Sequence, residues 1–421
     1  MTSLARKQFA LTSALCGALV LSACEHAEPL ISGSLPQRGY LWQRRWTPEV
    51  SAALADARQR MQGVVVLGAE IEWAGRRPIV ARANIDWKRA KTEGVSCSIA
   101  LRVAPFSGAP DLDDLAQEKM AEVARSLLDE AKAHGIEVQE LQLDYDCAQK
   151  NLTNYRGWLR RLRAAVQPTR FVITALPAWL DEREFAALIG EVDGYVLQVH
   201  SVPAAKAGRA QLCDTQAARR WVTKAAKLHR PFSVALPTYR CTAGYNRAGK
   251  LIGVAMDSVQ PAWPPDTRRL DFTADADAIA VLVHEWQQAR PAEVRELLWY
   301  RIPVATDSRN WRWPTLAAIM SGRKPMHRFE VVGQGENPVD LSICNRGESD
   351  DDQPATIFAS WSEGDLLAAD ALAGWNVQSQ KQSALFTVAP GHRFRLPPGA
   401  ERGIGWLRYA APVRLDLSVQ E

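Results

Sequence analysis

Hydrophobic and polar positions alternate strictly over Glu140-Leu141-Gln142-Leu143-Asp144-Tyr145-Asp146-Cys147. Leu141, Leu143 and Tyr145 fall on one face of an extended segment, and Glu140, Gln142, Asp144 and Asp146 on the other. The period changes on both sides. Residues 112–134 place Leu115, Met120, Val123, Leu127 and Ala131 at helical spacing, with Gly135 as a C-cap. Residues 152–166 do the same with Leu152, Tyr155, Leu159, Leu162 and Val166, and Pro168 follows. A strand between two helices belongs to a βα repeat, whose strands are covered on both faces. Polar residues along one face then point to a barrel interior, wettest at the C-terminal end of the strand.

Seven more β-like runs occur, at 40–46, 63–70, 95–103, 171–177, 194–200, 232–237 and 297–304. Helical patterns also occupy 49–62, a segment capped by Asp214 that runs to 228, and 274–289. Eight strands alternating with helices predict an α/β fold, a closed (β/α)8 TIM barrel. An open doubly wound sheet is the alternative, but no GxGxxG turn follows the first strand. Residues 239–270 are rich in Gly, Pro and aromatics and are expected to fold over the barrel mouth. After Arg323 only short apolar runs remain, at 329–332, 339–344, 355–361, 384–388 and 413–419. They predict a small C-terminal antiparallel β-sandwich. The acidic run at 347–352 lacks calcium-ligand spacing and reads as a solvated turn.

The N-terminus adds an address. Arg6 and Lys7 precede an apolar run over 9–20 and then Leu21-Ser22-Ala23-Cys24. This is the layout of a signal peptide, too short to span a bilayer comfortably. Leu-Ser-Ala-Cys resembles the bacterial lipobox, which makes Cys24 the lipidated residue and the membrane a partner through that lipid. The expected organisation is a signal peptide at 1–23, a linker at 24–38, the barrel at 39–323 and the sandwich at 324–421. The body would then sit in the cell envelope, in the periplasm or at the cell surface. In that oxidising setting Cys213 and Cys241, both in loops after strands, are the preferred disulfide, with Cys97 and Cys147 next. No Cys/His cluster has zinc-ligand spacing, so neither a metal nor a cofactor is expected. The 421 residues are 47% hydrophobic and carry a net charge of only +4, which does not point to nucleic acid.

Candidate chemistry follows from the alternation. Asp144 and Asp146 lie two apart on one strand, within about 7 Å of each other, and should titrate as a coupled pair. A protonated acid beside an ionised base is what cleavage of a glycosidic bond needs. The same alternation on other strands brings Trp42, Arg44, Glu70, Glu72, Arg102, Gln198, His200, Tyr239, Trp299 and Arg301 to the mouth, with Glu70 a further acid candidate. Aromatic rings would stack on sugar faces, and the cations would grip hydroxyl or acidic groups. A one-residue slip would exchange the set on any strand. The alternative is an ion-pair network that merely closes the barrel end.

Leu-Gln-Leu-Asp-Tyr-Asp-Cys at 141–147, Gln-Val-His-Ser at 198–201 and Gly-Trp-Leu-Arg at 405–408 resemble a bacterial lipoprotein family known as domain of unknown function 3142. More distantly, the fourth strand resembles the DxxDxDxE signature of chitinase-like (family 18) glycoside hydrolases. Asp144 and Asp146 match its last two aspartates, and Trp299 matches its eighth-strand tryptophan. Ala148 stands where that family carries its proton-donating glutamate, and His200 stands near the family's sixth-strand Tyr-Asp pair. The second resemblance implies a barrel that hydrolyses or binds a carbohydrate, with Asp144 stabilising charge on the sugar and Asp146 or a neighbouring glutamate as acid. A catalytically inert barrel that binds polysaccharide or a protein partner is the rival. Metal-assisted hydrolysis through His200 ranks below both.

Overall fold

The computed structural model describes residues 29–75, 77–104, 113–202, 211–256, 261–352, 356–372, 374–392 and 394–420. The segment expected to be a signal peptide, and Cys24, lie outside them. Eight parallel strands form the barrel: β1 Gln37–Leu41, β2 Gly63–Ala74, β3 Cys97–Val103, β4 Val138–Tyr145, β5 Arg170–Ala175, β6 Gly194–Gln198, β7 Phe232–Pro237 and β8 Val294–Tyr300. Each pairs with its neighbours, and β1 bonds to both β8 and β2, so the ring closes. The fold is therefore a closed (β/α)8 barrel. The first and last strands begin three residues earlier than the apolar runs suggest, because inward-facing Arg38 and Glu296 are strand positions despite their charge.

Helices α1 Pro48–Arg60, α2 Trp87–Glu93, α3 Asp113–Ala133, α4 Leu152–Val166, α5 Arg183–Leu188, α6 Thr215–Ala226, α7 Ala276–Gln288 and α8 Trp313–Met320 surround the ring. Asp214 caps α6, its carboxylate accepting from the N–H groups of Gln216 and Ala217. Gly135 follows α3 at φ 70°, the left-handed C-cap that favours glycine. The apolar stripe of α4 buries Leu152, Tyr155, Leu159 and Leu162 against the outward face of the sheet, where Leu141, Leu143 and Tyr145 sit. Each such side chain contributes roughly 1.5–3 kcal/mol on burial.

The inward face is layered. At the base, Arg38 Nη2 bonds Glu140 Oε1 at 2.7 Å, Arg38 Nε bonds Glu296 Oε2 at 2.8 Å, and Ser98 and Ser233 complete the set. Above lies a mostly apolar layer of Val65, Ala100, Val172, Val196, Ala235 and Leu298. One polar chain crosses it: Tyr40 donates to Gln142, and Gln142 donates to Glu140. The third layer is the mouth.

Residues read as linker are clasped to the base. Leu30–Ile31 pairs antiparallel with Arg290–Pro291, Gly33 donates to the Gln287 carbonyl, and Leu35 is buried. After β7 the chain forms a three-stranded antiparallel sheet, Arg240–Tyr245 between Leu251–Ala255 and Arg268–Thr273. The Trp263 ring packs so closely on this sheet that a Cβ at Gly244 would lie 2.4 Å from it.

Strands β9 Phe329–Gln334, β10 Val339–Asn345, β11 Thr356–Trp361, β12 Leu366–Ala371, β13 Trp375–Gln380, β14 Ser383–Val388, β15 Glu401–Tyr409 and β16 Leu415–Gln420 build the second unit. Two four-stranded antiparallel sheets, ordered β9-β10-β15-β12 and β13-β14-β11-β16, enclose one apolar core. This is a small β-sandwich.

Two expectations need correction. Cys213 and Cys241 form no disulfide, nor do Cys97 and Cys147; all four are free and buried. Leu212, not Cys213, packs in the cluster that holds Cys241, while Cys213 turns the other way into the main core. The acidic run is also no solvated turn. Ser349 and Asp350 are 5% and 8% exposed, Asp350 pairs with Arg395, and Glu348 pairs with Arg323 and accepts from Thr315 of α8 through its carbonyl.

Candidate functional site

The third layer lies at the C-terminal ends of the strands. Alternation along β4 carries Asp144 inward, 5% exposed, with both carboxylate oxygens engaged. Oδ2 accepts from Arg102 Nη1 at 2.7 Å and Oδ1 from Thr174 Oγ1 at 2.8 Å. These partners come from the neighbouring strands β3 and β5, where the parallel register sets Arg102 beside Asp144. Asp146 lies just past β4. Burial raises its carboxyl above the usual range, Asp144's charge adds to that, and Arg102 opposes both.

Beside this pair opens a cavity of about 730 Å³. Trp42, Arg44, Glu70, Arg102 and Arg301 line its barrel side, and Val254, Met256 and Pro261 from the segment after β7 line the other. Arg44 bonds Glu70. Arg301 is 6% exposed and meets Asp307 Oδ2 at 2.6 Å through Nη2, which also donates to the Met256 carbonyl. Three buried atoms in the lining have no hydrogen-bond partner among the described residues: the donor Arg301 Nε, the acceptor Gln43 Oε1, and Asp307 Oδ2, which has only its ion pair with Arg301.

Next to the cavity the mouth is filled with rings. Tyr300 packs against Tyr40, Trp42, His200 and Tyr239 at centroid distances of 5.7, 5.3, 5.7 and 5.4 Å. Burial lowers the His200 pKa to about 4, so the imidazole is neutral at pH 7.

The structure thus brings together Asp144, Arg102, Trp42, Arg44, Glu70 and Arg301 at the mouth, with Asp146 adjoining. It separates others. Trp299 points outward from β8 into the core beneath the helices, fully buried, and its indole N–H donates to Gln37. The strand runs one residue out of the expected phase, so Tyr300 takes the inward place. Glu72 is exposed on the extension of β2 that pairs with Arg77–Arg82, beyond the cavity. Tyr239 and His200 are cluster members, not open platforms, and Gln198 ends β6 without lining the cavity. Among the described residues no three His, Cys, Asp or Glu side chains are grouped as metal ligands. The sequence reading missed Thr174, Gln43, Arg45, Tyr300 and Asp307. Of these, only Tyr300 carried a usable signal, the alternation Glu296-Leu298-Tyr300.

Residues 103–305 match the family described as Domain of unknown function (DUF3142). That match spans a little under half of the chain. Residues 330–410 match a second family, Domain of unknown function (DUF8456), so the Gly-Trp-Leu-Arg run at 405–408 belongs to the sandwich and not to the first family. No curated protein matches the chain. Among solved structures the chain is similar to the spore cortex-lytic enzyme SleL of Bacillus megaterium, at 10% identity over 70% of this chain and 75% of that one, TM-score 0.48. It is also similar to a chitinase from Chromobacterium violaceum, at 12% identity over 69% and 98%, TM-score 0.47. A class V chitinase from Nicotiana tobaccum solved with NAG4 is 12% identical over 69% and 99%, TM-score 0.44. Likeness at that level assigns no residue a role. The chemistry of this mouth has to be read from its own side chains.

Proposed function

We propose that the chain is a cell-envelope lipoprotein, tethered through a lipid on Cys24, whose barrel mouth binds a carbohydrate without cleaving it. One observation carries the reading. The cavity lies within the usual size range of small-ligand sites. Its lining sets the Trp42 ring beside a buried donor and a buried acceptor that nothing among the described residues satisfies. Leaving such groups unpaired costs about 1–3 kcal/mol each. A sugar supplies hydroxyls for both and an apolar face for the ring.

Binding without turnover is favoured by the state of the carboxylates. Asp144 has both oxygens occupied, Glu70 is held by Arg44, and Ala148 offers no acid. Asp146 supports a second reading, hydrolysis, because its raised pKa is what a general acid requires. Calorimetry of the purified chain against envelope and extracellular glycans should find a ligand whose affinity falls at least tenfold in Trp42→Ala. Loss of about 1.4 kcal/mol corresponds to that factor. A ligand that binds the variant equally well would move the site elsewhere. Release of new reducing ends, abolished by Asp146→Asn, would replace binding with hydrolysis. Cys24→Ala should free the protein from membranes, and continued retention would remove the lipid from the proposal.

A further inference from the structure

The proposed carbohydrate leaves its own charge open, and the cavity answers that. Its lining holds four arginines, Arg44, Arg45, Arg102 and Arg301, against two carboxylates, Glu70 and Asp307. Asp144 lies behind Arg102, outside the lining, and brings the tally to four against three. The remaining cation is Arg45, which is exposed at the rim and has no carboxylate partner among the described residues. Asp146, which like Asp144 is outside the lining, would bring the wider tally to four against four, so the excess belongs to the lining itself, four arginines against two carboxylates.

Donor geometry points the same way. Arg102 uses one terminal nitrogen on Asp144 and also lines the cavity. Arg301 is buried and keeps Nε unbonded. A neutral sugar would satisfy single donors, whereas a guanidinium fork is matched by a planar anion that accepts two parallel hydrogen bonds. We propose that the ligand of the mouth is an acidic glycan, whose carboxylate seats against Arg102 and Arg301 while Arg45 contributes the attracting charge at the entrance. This rests on the carbohydrate reading above and narrows it to uronate-bearing chains.

Affinity electrophoresis of the full chain separates the two. Native gels would carry polygalacturonate, alginate or hyaluronan as acidic probes, and methyl-esterified pectin, dextran or chitin oligosaccharides as neutral ones. At least one acidic probe should retard the protein tenfold more strongly than every neutral one, and salt should weaken the effect. Arg102→Gln and Arg45→Glu should each reduce that retardation about tenfold. Arg220→Glu makes the same charge change on the exposed outer surface of α6 and should leave it unaltered. Equal retardation by a neutral probe would overturn the acidic ligand and leave the carbohydrate reading standing. No retardation by any probe would overturn both. If Arg220→Glu weakened retention as much as Arg45→Glu, bulk charge would explain the result and this inference would fall. Arg45 is exposed, so loss of fold is no escape for that variant; circular dichroism checks it.

Discussion

The two ends of the barrel use the same side-chain types and do different things with them. At the base, Arg38 faces Glu140 and Glu296 together, and serines close the set. At the mouth, four arginines line the cavity against two carboxylates, and unsatisfied polar atoms lie in the same lining. Burying ions costs several kcal/mol each, so a closed network is no sign of net stabilisation, but breaking one leaves a stranded charge. The base is therefore committed to structure. The mouth keeps polar atoms without partners among the described residues, which the proposed ligand would use. Composition alone does not distinguish the two ends; the ratio of arginines to carboxylates and the adjacent space do.

The sharpest way to break this contrast is Arg38→Ala. It leaves Glu296 without a cation among the described residues and Glu140 with only Arg170 at 3.4 Å, and should cost about 3–5 kcal/mol in denaturant unfolding, whereas Arg45→Ala at the mouth should stay within about 0.5 kcal/mol. Equal losses would mean the mouth is as structural as the base. Trp299→Ala should likewise lose about 3–5 kcal/mol as a core truncation and leave glycan binding intact, the reverse of Trp42→Ala.

Next in size is a pH effect confined to the mouth. His200 is depressed to about 4 by burial, so the unfolded chain takes up a proton that the folded one refuses as pH falls from 6.5. Stability should drop by up to about 3 kcal/mol between pH 6.5 and 4, and His200→Gln should flatten that slope. An unchanged slope would mean the ring is hydrated. Asp146 has the opposite sign. Its folded pKa is raised, so its contribution is greatest at low pH and fades as pH rises from the usual carboxylate range through the raised value. Asp146→Asn should therefore gain on the parent as pH rises through that window. The smallest expected effect is none: reductant should leave the melting temperature within about 1 °C, because the five cysteines past residue 29 are unpaired and buried. A larger drop would restore a disulfide to the molecule.

Much of this was legible beforehand, because βα repeats impose two periods that differ sharply. Six barrel strands, the Asp214 cap and the inward face of β4 follow from spacing alone. What failed did so for physical reasons. On β8, Trp299 looks like a binding residue by type, yet outward positions of a barrel strand lie under helices and take the bulkiest apolar groups. Charged Arg38 and Glu296 disguised strand starts, since their compensation comes from strands distant in sequence. Gln43, Arg45 and Asp307 join the cavity only through closure of the ring, which no local pattern encodes. In the sandwich, β12 and β15 lack clean alternation because exposed Leu367 interrupts the first and Gly403 and Gly405 the second.

The clasp of Leu30–Ile31 onto Arg290–Pro291 has a directional consequence. It brings the start of the described chain to the N-terminal ends of the strands, opposite the cavity. If Cys24 carries the proposed lipid, the five residues to Pro29 allow at most about 18 Å of reach. The barrel would then stand on the bilayer by its floor, with its opening turned toward whatever polymer lies above, like a cup set upright on a table.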